Sequence, residues 1–352
     1  MKFVKTITIL MAFCVMAFGN DDRVNALGGN AGFWADDDAN LYAFPTMVNN
    51  LDMVQVSGAG SDGGAATVIW GEGTTWGFSF DGSDPTDGND WLNLMWGNGT
   101  YGAIFSLGSS STDNGLSGDD NVATSSFDMG VSFGMNQSFG EVGIQFMTGS
   151  EDTGDGNDDT NPSVVGFGLN LRRAQDIWLF DNMLVGFDNA TWTTGDASSG
   201  VMDLSCDLYT ELPTGDGVTA VFSLGFGYWS HSMDTGVDGA ETMTMSTLTL
   251  PSATLGVEAD VTDWATVRFG MNHAYVLAGS MGDGSWTGTT SYDESGEMVS
   301  NFNWDFGLGF DYGSFTLDMV LENTELFNDP VRYVTGRNND ALSSSATLTW
   351  NF

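Results

Sequence analysis

Polar and apolar residues alternate with a period of two over long stretches of this chain. Between Asn301 and Tyr312 every even position is apolar, and every odd position is Asn, Asp or Gly. The same separation of two faces recurs at 127–136, 165–172, 202–208, 222–228, 267–272, 315–322 and in the final stretch to Phe352. A period of two is that of a β-strand with one apolar face. The sequence therefore predicts an all-β protein.

The predicted strands are long, at roughly 9 to 13 residues, whereas strands of soluble sheets usually have about 5 or 6. A tilted strand crosses a bilayer with about 9 to 11 residues. The polar faces are rich in Gly and Ser, which suits a crowded lumen. Aromatic residues near strand ends, such as Trp192, Trp264, Tyr312 and Trp350, suit interfacial girdles. We predict a transmembrane antiparallel β-barrel over residues 52–352; a secreted sandwich or solenoid is the alternative.

The connections between strands also favour this barrel. Some are tight, such as Thr262-Asp263 and Gly313-Ser314, and others are long and rich in Asp, Gly and Ser. The long ones are expected at 81–90, 109–122, 150–162, 193–200, 231–245 and 279–299. Short turns at one end and long loops at the other are typical of outer-membrane barrels, whose strand number is even. We predict 14 strands, or 16.

Residues 1–20 have the pattern of a signal peptide. Lys2 and Lys5 precede an apolar run over 6–18, and Ala17-Phe18-Gly19 has the small-x-small pattern of a cleavage site. The run is shorter than the roughly 20 apolar residues of a membrane helix. The last predicted strand ends at Phe352, which resembles the terminal aromatic that outer-membrane barrels present to their assembly machinery. We therefore expect export to a bacterial outer membrane, with membrane lipid and this machinery as partners.

The charge balance excludes one class of partner. The chain has 47 acidic residues against 8 basic ones, a net charge of −39. Such a surface repels the phosphate backbone, so nucleic-acid binding is not expected. Aromatic residues make up 12% of the chain, and a disordered acidic tail would be poor in them.

The stretch from 21 to 51 lacks the alternation. It contains Leu27-Gly28-Gly29, then Asp36-Asp37-Asp38-Ala39, then Phe44-Pro45-Thr46. These motifs resemble the segment before the first strand in FadL-like barrels, a superfamily that includes long-chain fatty-acid and hydrocarbon transporters and PorV-like proteins. The third motif departs from the Asn-Pro-Ala of the family at two positions. The resemblance implies that 21–51 is a hatch that closes the lumen, with hatch residues Leu27, Gly28, Gly29, Asp36, Asp37, Asp38 and Pro45.

The resemblance also implies passive transport of small, hydrophobic or amphipathic molecules across the outer membrane. The polar strand faces oppose part of this, because they are acidic and carry only Arg172 and Arg268 as cations. The predicted lumen acids are Asp128, Glu141, Asp203, Asp207, Asp305, Asp311, Asp318 and Glu322. Such a wall favours cations. A cation-preferring diffusion porin and a non-transporting structural or secretion-adaptor barrel therefore stay open as alternatives.

No catalytic or metal-binding constellation emerges from the sequence. His231, His273 and Cys206 are too scattered for a zinc site or a nucleophile with its base. Asp155, Asn157 and Asp159 start like a calcium loop, but the required later Gly and Glu are missing. We expect no enzymatic activity and no cofactor, with divalent cations bound at most loosely at the acidic loops.

Overall fold

In the computed structural model, the residues described are 21–57, 64–81, 90–113, 123–153, 161–237, 239, 241–282, 284–288, 290–292, 298–321 and 343–352. The predicted signal peptide, the lumen acid Glu322 and the calcium-like stretch at 155–159 lie outside these residues. Within them, no helix is long and apolar enough to cross a membrane.

The chain begins with short helical turns and continues as strands. One α-helix, α1, covers Asp21–Ala26, and three 3-10 turns cover Ala31–Phe33, Asp38–Asn40 and Pro45–Asn50. The strands are β1 Met53–Ser57, β2 Ala65–Trp70, β3 Thr75–Asp81, β4 Asp90–Gly97, β5 Tyr101–Asp113, β6 Ala123–Gln137, β7 Gly140–Asp152, β8 Pro162–Ile177, β9 Phe180–Thr194, β10 Ala197–Glu211, β11 Val218–Asp234, β12 Met243–Thr262, β13 Ala265–Met281, β14 Gly284–Gly288, β15 Thr290–Tyr292, β16 Met298–Ser300, β17 Phe302–Tyr312, β18 Phe315–Leu321 and β19 Ser343–Asn351.

The strands form a closed antiparallel barrel. Each main strand pairs with its neighbours in sequence, and β1 pairs with both β2 and β19, which closes the sheet. Strands β14 and β17 pair with successive parts of β13 and so share one position, while β15 and β16 form a separate hairpin. Among the described residues the barrel has sixteen strand positions. The larger of the two even numbers predicted from the sequence is confirmed.

The two faces of the wall separate as the alternation predicts. On β6, Phe127, Val131 and Phe133 are exposed, whereas Asp128 and Gly130 between them are buried on the inner face. Water-exposed apolar residues of this size and number would be costly on a soluble protein, but they suit contact with lipid. The outer face is therefore the membrane-contacting face of a transmembrane barrel.

Seven short connections lie at one end of the barrel, which we call the short-turn end; they are 71–74, 98–100, 138–139, 178–179, 212–217, 263–264 and 313–314. Exposed aromatic residues surround this end, and several stack in pairs, such as Trp264 on Phe310 and Phe315 on Trp350. They form the girdle expected at a membrane interface. Trp192 does not belong to it: its side chain is only 4% exposed and lies on the inner face.

One side of the wall is taller than the sequence analysis expected. Strands β8 to β13 have 15 to 20 residues. The predicted long loop at 193–200 is wrong, because β9 and β10 are joined by the two residues Gly195 and Asp196. Gly195 has φ 60°, the left-handed backbone that a tight hairpin needs.

Candidate functional site

Residues 21–51, which we call the plug, lie against the inner face of the wall in its short-turn half. The Gln145 amide on β7 donates to the Tyr42 carbonyl at 2.7 Å, and Asn272 on β13 donates to the Gly28 carbonyl at 3.3 Å. At the far end of the plug, the Asn49 amide donates to the Tyr101 carbonyl of β5 at 3.2 Å. The plug thus contacts widely separated strands around the barrel.

Apolar side chains of the plug complete two buried cores with inward side chains of the wall. In the first, Leu41, Tyr42, Met47 and Val48 pack with Met53, Ile69, Met95 and Ile104. In the second, Leu27, Phe33, Trp34 and Phe44 pack with Leu184, Tyr209 and Val221. Burying one large apolar side chain contributes about 1.5–3 kcal/mol. The plug is therefore held as part of the folded protein.

Small inward residues make room for the plug backbone. A Cβ added at Gly134 would lie 2.6 Å from the Thr46 nitrogen, and one added at Gly256 would lie 2.6 Å from the Leu27 carbonyl oxygen. Gly102, Gly143 and Gly270 face the plug backbone as closely. At these five glycines the backbone of the wall and the backbone of the plug meet.

Charged side chains join the start of the plug to β12, β13 and β18. Arg23 pairs with Asp37 within the plug and, through Nε, with Glu258 on β12 at 2.9 Å. Arg268 on β13 pairs with the same Glu258 at 2.6 Å and with Asp318 on β18. We call these five residues the latch. Burial would lower the pKa of the Arg23 guanidinium, but Asp37 and Glu258 outweigh it, so this pKa is raised and the cation is retained.

Asp22 anchors the same region to β19. Its carboxylate accepts hydrogen bonds from the hydroxyls of Ser345 and, at 2.6 Å, Thr347. Burial nevertheless raises the pKa of Asp22, because removal from water costs the charged form more than the two hydroxyls return.

A second charged contact lies across the lumen. Arg172 on β8 pairs with Glu141 at 2.5 Å and donates to the Gly32 carbonyl at 3.3 Å. Its guanidinium also lies 4.6 Å from the centre of the Phe44 ring, within the range of a cation–π interaction. Glu141 in turn accepts a hydrogen bond from Thr46. Of the two arginines predicted to face the lumen, Arg172 thus contacts the plug directly, whereas Arg268 is linked to it through Glu258, which also pairs with Arg23.

The predicted lumen acids fall into different environments. Glu141 and Asp318 are neutralised by arginines, as described above. Asp305 accepts from Asn303 at 2.8 Å, and Asp311 accepts from Thr316 at 2.8 Å near the short-turn end. Asp128 is 5% exposed on the inner face of β6, and Asp203 and Asp207 lie on the inner face of β10. Glu322 lies outside the described residues.

The hatch residues suggested by the family resemblance have distinct local roles. Leu27 is buried in the second core, and Gly28 and Gly29 have φ values of 98° and 81° that permit the sharp bend after α1. Asp37 caps the second 3-10 turn by accepting from the Ala39 N–H at 2.9 Å. Asp38 accepts from Gln55 of β1, Pro45 is buried at the start of the third turn, and Asp36 is exposed.

A cavity of about 490 Å³ lies on the side of the plug away from the short turns. Plug residues form its floor, among them Asn25, 29–32 and 42–44. Inner-face residues of β5 to β10 form its wall, among them Met147, Leu184, Asp188, Trp192, Val201 and Asp203. The described residues of its lining include no Lys or Arg. The cavity is thus closed below by the plug and acidic on one side.

Asp188 is the site residue that the sequence analysis missed. On β9 the apolar residues Met183, Val185 and Phe187 alternate with a mixed face that contains Leu184 and Trp192 as well as Asp188. Because both faces carry apolar residues, the separation that marked other strands is blurred here. The signal in the sequence was that the apolar Val185 and Phe187 lie at odd-numbered positions, because this places the even-numbered Asp188 on the opposite, inner face.

No protein-family model matches the chain, and no curated protein matches its sequence. Among solved structures, it is similar to the ferric citrate transporter FecA in its unliganded form, at 14% identity and a TM-score of 0.42 over 76% of this chain and 50% of FecA. It is also similar to CdiB from Acinetobacter baumannii, at 10% identity and a TM-score of 0.40 over 85% of this chain and 59% of CdiB. The FrpB iron transporter from Neisseria meningitidis matches at 9% identity and a TM-score of 0.36, over 76% and 60%.

This chain thus spans about half to three fifths of the length of these three proteins. They lie outside the FadL-like group, so the FadL-like type stays a prediction. The similarity is too low to carry an argument about ligand or activity.

Proposed function

We propose that the protein is a plugged barrel of the bacterial outer membrane through which small amphipathic molecules pass without energy input, with the plug as the gate. One observation carries the proposal: the cavity has the plug as its floor. A molecule bound there from the long-loop end would touch the element that blocks its way onward. Its volume of about 490 Å³ is within the range of small-molecule sites, about 300–1,000 Å³.

The mixed lining favours an amphipathic cargo over a purely hydrophobic one. Trp192, Val201 and Met147 offer apolar surface, while Asp188 and Asn170 are polar. A fatty carboxylate would meet like charges at Asp188 and Asp203. The resemblance to FadL-like barrels suggests small hydrophobic or amphipathic cargo. The acidic lining narrows this cargo to molecules without a carboxylate.

The two alternatives fit the plug and cavity less well. An open porin needs a wet channel, but the plug packs its apolar side chains into two cores with the wall. An adaptor barrel needs no internal cavity.

For insertion into the membrane, we propose that the assembly machinery recognises β19, since Phe352 is exposed beside Trp350 at its end.

The test is to lock the plug and measure passage of a solute. We would place a disulfide between Asp22→Cys and Thr347→Cys, where the native side chains are 2.6 Å apart, in a Cys206→Ser background. Phenyl β-glucoside, a neutral amphipathic probe, would be followed into proteoliposomes. We expect reduction of the disulfide to raise uptake about tenfold. A tenfold change corresponds to a difference of about 1.4 kcal/mol in the free energy of opening the gate.

The Asp22→Cys variant alone is the matched control and should not respond to oxidation. Equal uptake by the locked and reduced double variant would contradict gating by the plug, and no uptake by either form would contradict transport.

A further inference from the structure

We propose that the cavity above the plug binds an organic cation: a small molecule with an ammonium group and an apolar body. This inference rests on the proposed function for its place in a transport route, but the binding site itself is argued from the cavity lining alone.

Two carboxylates stand side by side in this lining. Asp188 on β9 is directly opposite Asp203 on β10, and both face inward. Directly opposed residues on neighbouring strands have Cβ atoms about 4.5–5.5 Å apart, and like charges at such positions repel. In the described part of the chain, no hydrogen bond or ion pair involves either carboxylate. A bound cation would relieve this repulsion.

Among the described residues, none of the basic side chains neutralises this pair. Arg23, Arg172 and Arg268, the arginines described on the lumen side, are each already paired with other carboxylates. Asp207, two inward positions further along β10 and 9% exposed, adds negative charge on the same side. The cavity therefore carries a negative field that a ligand must complement.

Aromatic side chains lie next to the carboxylates. Trp192 lines the cavity, is 4% exposed, and has an indole N–H with no partner among the described residues. Trp229 on β11 is directly opposite Asp203 and packs against the cluster of Trp192, Val164 and Val201. Carboxylates beside indole rings suit an ammonium ion, which gains from charge pairing and from cation–π contact. Apolar atoms of the ligand would then contact Val201 and Met147.

A metal ion fits this site less well than an organic cation. Within the described residues, no group of three or more His, Cys, Asp or Glu side chains is arranged to hold a metal. Two carboxylates without further charged ligands would bind a hydrated metal ion only weakly, and the apolar part of the cavity would be left unused.

The test is equilibrium binding to the full mature chain in nanodiscs at physiological ionic strength. The probe is benzyltrimethylammonium, compared with phenyl β-glucoside and benzenesulfonate, which share the ring but are neutral and anionic. Tryptophan fluorescence and calorimetry report binding. We expect saturable binding of the cation, weaker binding of the neutral probe and none of the anion.

Variants locate the site. Asp188→Asn and Asp203→Asn should each raise the Kd for benzyltrimethylammonium about tenfold, because each removes one charge from a partly desolvated pair. Asp311→Asn, which removes an exposed carboxylate near the short-turn end, is the matched control and should leave the Kd unchanged. A shift in gel mobility on heating would verify that each variant forms a barrel.

The proposal is overturned if the three probes bind with the same affinity, or if Mg²⁺ displaces benzyltrimethylammonium when the two are present at equal concentration. It is also overturned if Asp311→Asn weakens binding as much as Asp188→Asn. Failure of transport is a separate result: saturable, Asp203-dependent binding with no gated uptake would leave the site in place and sink the proposed function. Gated uptake of phenyl β-glucoside without cation binding would do the reverse.

Discussion

Arg268 pairs with a buried carboxylate, Asp318, and with the partly exposed Glu258. It is 5% exposed, and its partner Asp318 is 1% exposed. Glu258 is shared with Arg23 of the plug. Removal of one member of a buried ion pair costs more than the pair itself contributes, because the remaining charge stays out of water. The latch is therefore a place where a single substitution has a large effect.

We expect Arg268→Met to lower the free energy of unfolding by about 3–5 kcal/mol, since the buried Asp318 would lose its ion pair with Arg268. Urea unfolding in lipid vesicles measures this. Arg173→Met is the matched control, because Arg173 makes no ion pair among the described residues, and should cost less than about 1 kcal/mol. Adding Asp318→Asn to Arg268→Met should recover part of the loss; a purely additive double variant would contradict the pairing.

Asp22 gives the plug anchor a dependence on pH. Its pKa is raised in the folded protein by burial, so the stability it contributes is full below its unfolded pKa and is lost as pH rises through the folded pKa. We expect Asp22→Asn to match the wild type in stability near pH 4 and to exceed it near pH 8. Thermal unfolding across this range checks the difference.

The exposed Asp36→Asn is the control for that comparison, because it removes the same charge from the plug surface. A stability difference between Asp22→Asn and the wild type that stays constant with pH would show that Asp22 does not titrate in this way.

The sequence showed which acids face inward better than it showed what neutralises them. Glu141 and Asp318 were placed on the lumen face by alternation. Their arginine partners on the wall, Arg172 and Arg268, were visible as inward cations, but pairing between strands depends on register, which alternation does not specify. Arg23 pairs with Glu258 across 235 positions of sequence, a contact that only the folded plug creates.

At the scale of elements, the plug turn at 44–47 fits the wall only where the wall has glycine. Gly134 and Gly130 lie on the same face of β6, four residues apart. A Cβ at Gly134 would lie 2.6 Å from the Thr46 nitrogen, whereas one at Gly130 would make an ordinary contact at 3.4 Å with Ser106. Alanine substitutions at these two positions therefore distinguish an effect on the packing of the plug from an effect on the stability of the strand.

We expect Gly134→Ala to loosen the plug by about 1–3 kcal/mol, the usual cost of overpacking, and Gly130→Ala to leave it seated. Met47, which is 4% exposed, can report this as Met47→Cys in a Cys206→Ser background. Its labelling by a soluble maleimide should accelerate about tenfold with Gly134→Ala. Equal labelling rates in the two alanine variants would contradict the close contact.

Elements were predictable wherever one face was uniformly apolar, as on β17. Two errors have physical causes. The stretch at 193–200 looked like a loop because it is rich in Thr, Ser and Gly, but polar residues such as Thr and Ser can also pair across strands, as they do at the ends of β9 and β10. Trp192 looked like a girdle residue because it lies near a strand end, yet β9 carries it on the inner face.

At the scale of the whole molecule, the lumen has two halves of different character. In the short-turn half, the plug packs against the wall, and Arg23 pairs with Asp37 and Glu258. In the other half lies a cavity whose carboxylates Asp188 and Asp203 have no partner among the described residues. The negative charge of the chain, −39 in total, is therefore neutralised unevenly. The described ion pairs lie where the plug is held.

The central claim is that the plug closes the barrel, and single-channel conductance in planar bilayers tests it most directly. The full chain, residues 21–352, would be compared with a shortened chain that lacks the plug, residues 21–51, each verified as a folded barrel. We expect the full chain to show no steady conductance, and the shortened chain to show a steady one with a reversal potential that indicates cation preference. A steady conductance of the full chain, unchanged by removal of the plug, would contradict the account.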